Sequence, residues 1–131
     1  MDSKAYWVGF NKVRGIGPVR FQKLLNHFGD LERAWNAPVN ELRLIGLGEK
    51  ILTGLKNLRA SINLKDEYEK IAKAGIKVLT WEDENYPLRL KEIQYPPPVL
   101  YVRGEINPHD EWAIAIVGTR QKTSYGRQVT Q

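Results

Sequence analysis

The chain has 131 residues, 42% of them hydrophobic, with 20 lysines and arginines against 15 aspartates and glutamates. That is enough apolar sequence for the core of one domain or two small ones, and no disordered class is indicated. With no cysteine, disulfides and thiolate metal sites are excluded and a reducing cytoplasm is the expected location, while no segment has a signal-peptide core or a run fit to cross a bilayer.

The net charge of +5 is unevenly spread. Residues 1–60 hold 10 basic against 5 acidic side chains, residues 61–111 hold 7 against 10, and residues 112–131 hold 3 against none. The positive stretches coincide with the glycine turns described below, as expected of a nucleic-acid binder. The plainer alternative is a solvated surface.

Ser3 is placed to cap a first helix with Tyr6, Phe10 and Val13 on one stripe. Gly15-Ile16-Gly17-Pro18 then forms a hairpin with proline at a first helical position. The next helix carries Phe21, Leu24, Leu25 and Phe28 at core-facing spacing, with Arg20, Lys23 and His27 largely outside the stripe, and Gly29 ends it. Short helices follow over 30–35 and 39–44, separated by Asn36-Ala37-Pro38. The hairpin returns 31 residues after the first, as Ile45-Gly46-Leu47-Gly48, before a helix bearing Ile51, Leu52, Leu55 and Leu58.

Two glycine hairpins, each joining helices, resemble a tandem helix-hairpin-helix (SAM-like) domain over residues 1–62, a fold often found in DNA-binding and repair proteins. Glycine lets such a backbone approach a sugar-phosphate chain, and the following helix offers its first amides to phosphate. The expected contacts are Arg14, Gly15, Gly17, Arg20, Gly46, Gly48 and Lys50. The alternative is a hairpin that only packs two helices. Neither hairpin is a dinucleotide fingerprint, because Arg20 and Ile51 stand at the third-glycine positions and no strand precedes them.

Asn63 caps a further helix with Asp66 and Glu67 in its first turn and Gly75 at its end, and Ile76 to Trp81 reads as a strand. The acidic run Glu82-Asp83-Glu84 reads as a solvated turn, and no metal is assigned to it. A short helix is expected from Tyr86-Pro87 to Ile93, extended chain over Tyr95 to Pro98, and a strand over Val99 to Val102. His27 and His109 stand alone, and Trp7, Trp35, Trp81 and Trp112 lie in apolar contexts expected of a core. No catalytic residue is assigned.

Ala113 to Val117 lacks polar alternation, as expected of a parallel strand covered on both faces, and Gly118 lets the backbone turn or approach a ligand. Thr119, Arg120, Lys122, Thr123 and Ser124 then form a hydroxyl-rich basic loop ahead of a helix N-terminus, a composition suited to an anion. An ordinary polar turn is the alternative.

Val117-Gly118-Thr119-Arg120 followed by Thr123-x-Tyr125-Gly126 resembles the signature of the DNA-processing protein A (Smf) family, bacterial proteins of natural transformation. Tyr86-Pro87-Leu88-x-Leu90-x-x-Ile93 and Pro97 to Gly104 are similar to that family's approach to its Rossmann-like domain, in the same order. The resemblance implies an α+β chain: the helical domain, then over 63–131 the first strands of a truncated Rossmann-like domain, which stops at Gln131 within its first helix. It also implies single-stranded DNA and a RecA-type recombinase as partners, with no cofactor and no enzymatic activity. Arg120 is its first phosphate contact, with Gly118, Thr119, Thr123 and Gly126 at matching positions. Lys122 and Arg127 are added by charge and proximity. Two other readings are a protein-interaction module without DNA binding and a nucleotide-binding Rossmann-like enzyme. A homodimer is compatible with the exposed edges of an incomplete sheet.

Overall fold

The computed structural model describes residues 2–103 together with the backbone of Ala115 and Ile116. Five helices come first: α1 (Lys4–Asn11), α2 (Pro18–Phe28), α3 (Leu31–Trp35), α4 (Val39–Leu44) and α5 (Glu49–Ser61). They are followed by α6 (Leu64–Lys73), β1 (Ile76–Thr80), α7 (Leu88–Lys91), β2 (Val99–Arg103) and β3 (Ala115–Ile116). The mixed helix-and-sheet composition is the expected α+β class.

Helix α1 is apolar nearly all round, with Ala5, Trp7, Val8, Gly9 and Phe10 all buried, the pattern of a helix enclosed on every side. It packs on α3 in one direction and on α6, β1 and β2 in the other. Its entry differs from expectation. Ser3 already has helical dihedrals (φ −59°, ψ −26°) and makes no side-chain cap bond, because a capping hydroxyl needs an extended backbone to reach the first amides. The Asp2 carboxylate accepts from the Lys4 amide instead, at 2.9 Å. The helix stops at Asn11, so Val13 reaches the core from the turn that follows.

Other caps follow the sequence. Asn63 accepts from the Asp66 amide at 3.1 Å, Asp30 accepts from the Arg33 amide at 2.8 Å, and Gly29 closes α2 at φ +86°. A longer-range tie joins the middle of the chain: Arg59 on α5 donates through Nη1 to the carbonyls of Trp35 and Ala37, both at 2.8 Å. Arg59→Ala strips a charged donor from two part-buried carbonyls. The expected cost is about 1–2 kcal/mol, measurable by urea denaturation.

One hydrophobic core holds Trp7, Phe10, Phe21, Leu24, Leu42, Leu52 and Leu55 together with Leu64, Val78 and Val99, so apolar packing is continuous across residue 62. Phe21 lies 5.7 Å from Trp7 and 6.3 Å from both Phe10 and Trp81, measured between ring centroids. Trp7 and Trp35 are buried as expected, Trp81 packs against the core while part exposed, and Trp112 lies outside the described residues.

The sheet runs β1-β2-β3, antiparallel throughout, with Val78 opposite Tyr101 and Val102 opposite Ile116. The expectation of a parallel strand at 113–117 is therefore corrected. The eleven residues 104–114 between Arg103 and Ala115 stand at the lower limit of what a parallel crossover requires. Each face of β1 and β2 is apolar. Val78 and Val99 point into the helical core, while Leu79, Leu100 and Val102 form a second cluster with Tyr86 and Leu90.

Two boundaries near the sheet also move. The β1 strand ends at Thr80, one residue early, because the Asp83 carboxylate accepts from the Thr80 amide at 2.8 Å and folds the chain into a turn. Helix α7 keeps only Leu88–Lys91 of the expected 86–93. Its neighbours are fixed by side chains instead, with the Tyr86 hydroxyl donating to Pro97 O at 2.6 Å and Trp81 Nε1 to Pro96 O at 3.3 Å.

Candidate nucleic-acid interface

The first glycine turn links α1 to α2. Gly15 takes φ +95°, a left-handed conformation that a side chain disfavours, and the buried Ile16 pins the turn to the core. Gly17 is extended and precedes Pro18, which opens α2 without an N–H to satisfy. The first turn of α2 holds no acid and its cap makes no side-chain bond. The Val19 and Arg20 amides thus lie at a positive helix end.

The second turn repeats this plan between α4 and α5, with Gly46 at φ +98°, Leu47 buried, and Gly48 extended ahead of α5. The two turns pack crosswise. A Cβ on Gly15 would sit 2.9 Å from Ile51 Cγ1 on α5, and one on Gly46 would sit 3.6 Å from Lys23 Nζ on α2. Each turn thus lies against the helix that follows the other.

Around these turns Arg14, Lys23 and Lys50 are exposed, as are Gly15, Gly46 and Gly48, while Gly17 and Arg20 are half-buried. Arg20 Nη1 donates to the Gly15 carbonyl at 3.1 Å, which aims its guanidinium over the first turn without neutralising it. The second turn is different, because Glu49 stands at the start of α5. Arg43 grips its carboxylate with Nε and, at 3.2 Å, with Nη2, while Nη1 donates to Asn40 Oδ1 at 2.7 Å. The Arg43 hydrogen bond holds the Glu49 carboxyl below the usual range.

Lys23, Arg43 and Glu49 were not among the residues expected here. The opposite charges flanking Gly46 and Gly48 were the available signal for the last two, whereas Lys23 required the crosswise packing. Of the loop expected to bind phosphate, Gly118, Thr119, Arg120, Lys122, Thr123, Gly126 and Arg127 all lie outside the described residues. The described backbone reaches them only as far as β3, whose last residue is Ile116.

Elsewhere among the described residues, several polar groups are paired with one another. A cavity of about 290 Å³ lies between α6 and β1. At its edge Lys4 pairs with Asp83 at 2.9 Å and the Tyr68 hydroxyl donates to Asp2 at 3.2 Å. Burial works to raise the Asp83 carboxyl, but bonds from Lys4 and from the Thr80 amide and hydroxyl outweigh it and hold it below the usual range. The middle of the acidic run is therefore a structural anchor rather than a freely solvated acid, and only Glu82 and Glu84 are exposed. His27 Nε2 lies 3.4 Å from Glu41, and His109 is outside the described residues. No metal-binding group of three or more ligands occurs among the described residues.

Partial burial, then the charge and hydrogen bond of Asp2 and the charge of Asp83, push the Tyr68 phenol up to about 12. The folded value lies above the unfolded one, so this contribution to stability is complete below about 10 and is lost as pH rises through about 12. Ultraviolet difference titration should find Tyr68 among the late-ionising tyrosines, with Tyr6 and Tyr101 also raised, and Asp2→Asn should bring the Tyr68 value down toward 10.

A family model described as DNA recombination-mediator protein A matches residues 77–131. Over 135 aligned residues the chain is 35% identical to protein Smf of Synechocystis sp., an alignment covering 99% of this chain and 34% of that protein. The chain belongs to the DNA-processing protein A (Smf) family. A second Smf-family relative, DNA processing protein DprA of Bacillus subtilis, is 41% identical over 56 residues, covering 42% of this chain and 19% of its own length. UvrABC system protein C of Oenococcus oeni is 34% identical over 61 residues, covering 47% of this chain and 10% of its own length. The chain thus spans about a third or less of the relatives it matches.

Among the described residues, no helix of this Smf-family chain is long and apolar enough to cross a membrane.

Proposed function

We propose that this chain captures incoming single-stranded DNA during natural transformation and assists its transfer to a RecA-type recombinase, as a cytoplasmic accessory protein without catalysis or cofactor. In this reading residues 1–62 are a tandem helix-hairpin-helix unit and residues 63–131 open a Rossmann-like domain. Membership of the Smf family supports the DNA-processing role. The observation that carries DNA binding is the gathering of Arg14, Arg20, Lys23 and Lys50 around two crosswise glycine turns.

Capture is electrostatic. Lysines and arginines displace condensed counterions from the phosphate chain, and glycine lets the backbone come close. Such contacts hold a strand without reading its bases. Arg120, with the amides of Gly118 and Thr119 and the Thr119 hydroxyl, is the expected second grip, joined by Lys122, Thr123, Gly126 and Arg127.

The test is a titration of labelled single- and double-stranded oligonucleotides at two salt concentrations. Alanine at Arg14, Arg20 and Lys50 together should weaken binding and flatten its salt dependence, by about 0.7 in log–log slope for each single-strand phosphate no longer neutralised. Arg120→Ala should lower affinity severalfold. Unchanged curves for both variants would refute DNA capture by these residues. The alternative, a packing module that binds no DNA, draws on the core that runs from α1 and α2 into α6 and the sheet. Absence of salt-sensitive binding in the parent chain would favour it.

A further inference from the structure

The two glycine turns carry the same plan but different electrostatics. At the first, Arg20 is latched to a neutral carbonyl, Gly15 O, so its charge remains available to a ligand. At the second, the latched arginine comes from the helix before the turn and its acceptor is a carboxylate: Arg43 on α4 reaches forward past Gly46 and Gly48 to Glu49 through two guanidinium nitrogens, with Asn40 orienting the third. Carboxylate and phosphate compete for the same guanidinium fork. Glu49 adjoins Lys50 in sequence, and Lys23 approaches the same turn at Gly46.

We infer that Glu49 is a built-in competitor for nucleic-acid phosphate, occupying Arg43 so that a strand must displace a carboxylate to engage the second turn. The inference rests on the reading of the turns as a DNA face and adds its regulation. It makes the interface unequal: a phosphate chain meets an unneutralised first turn and a self-neutralised second one. Both groups of the pair are solvent-accessible, with side chains 46% and 72% exposed, so the exchange needs no opening of the core.

Glu49→Gln keeps a hydrogen-bond acceptor for Arg43 and removes the charge. Its affinity for a labelled single-stranded oligonucleotide should rise severalfold, with a salt dependence steeper by about one neutralised phosphate. Adding Arg43→Ala should abolish the gain. Glu41→Gln, which changes net charge equally on α4 without freeing Arg43, should give a much smaller gain. If Glu49→Gln binds like the parent while the Arg14, Arg20 and Lys50 variant is weakened, the inference falls and the DNA face stands. It falls in the same way if Glu41→Gln raises affinity as much, or if the only change is a lower melting temperature. If the triple variant binds like the parent, the DNA face itself fails and takes the inference with it.

Discussion

Phe21→Ala is expected to destabilise the chain by about 3–5 kcal/mol, the usual loss for a large aromatic removed from a packed interior. Phe21 is fully buried and packs against rings from sequence-distant parts of the chain, Trp7 and Phe10 on α1 and Trp81 beyond β1. Alanine would forfeit the transfer energy of the ring and leave a void walled by rigid tryptophans that cannot collapse into it. Domains of this size are stable by only about 5–15 kcal/mol, so the variant should lose a large share of its stability and unfold at a much lower urea concentration. Urea titration followed by far-ultraviolet circular dichroism and by tryptophan emission should show both signals moving together. Separate transitions would show that α1 and the sheet do not share a core.

The second large effect is at Gly9, in the middle of α1. A Cβ there would stand 2.7 Å from Leu64 Cδ2 and 2.9 Å from Trp35 Cζ3. The leucine tip can swing away, but the indole is buried and held edge-on to Phe10, with ring centroids 5.1 Å apart. Gly9→Val should therefore cost about 3 kcal/mol by overpacking. Gly9→Ala regains about 1 kcal/mol of helix propensity and should lose less. A Gly9→Ala chain as stable as the parent by thermal melting would mean that α1 does not sit this tightly between α3 and α6.

Most of the helical half was legible in the sequence, because each helix announces itself through local chemistry. The stripe of Phe21, Leu24, Leu25 and Phe28, proline at the start of α2, and glycines at the turns are short-range signals, and all four apolar side chains pack in the core. What the sequence hid was decided by partners far along the chain. Asp83 ends β1 through a bond that depends on the turn closing, and β3 lies antiparallel because of where β2 is. The basic turns could be read one at a time, but their crosswise packing could not, nor could the neutralisation of Arg43 by Glu49. The family signature around Arg120 was readable as text alone.

The position of α1 also bears on how the chain acquires its structure during synthesis. Residues 4–11 leave the ribosome well before many of their partners, which include Leu64, Tyr101 and the strands of residues 76–103, with the Asn11 side chain bonded to the Tyr101 hydroxyl 90 positions away. Such sequence-distant pairings are slow to close. Helix α1 is therefore made long before it is covered, and until β2 has emerged its apolar flank is exposed to whatever chaperones attend the nascent chain.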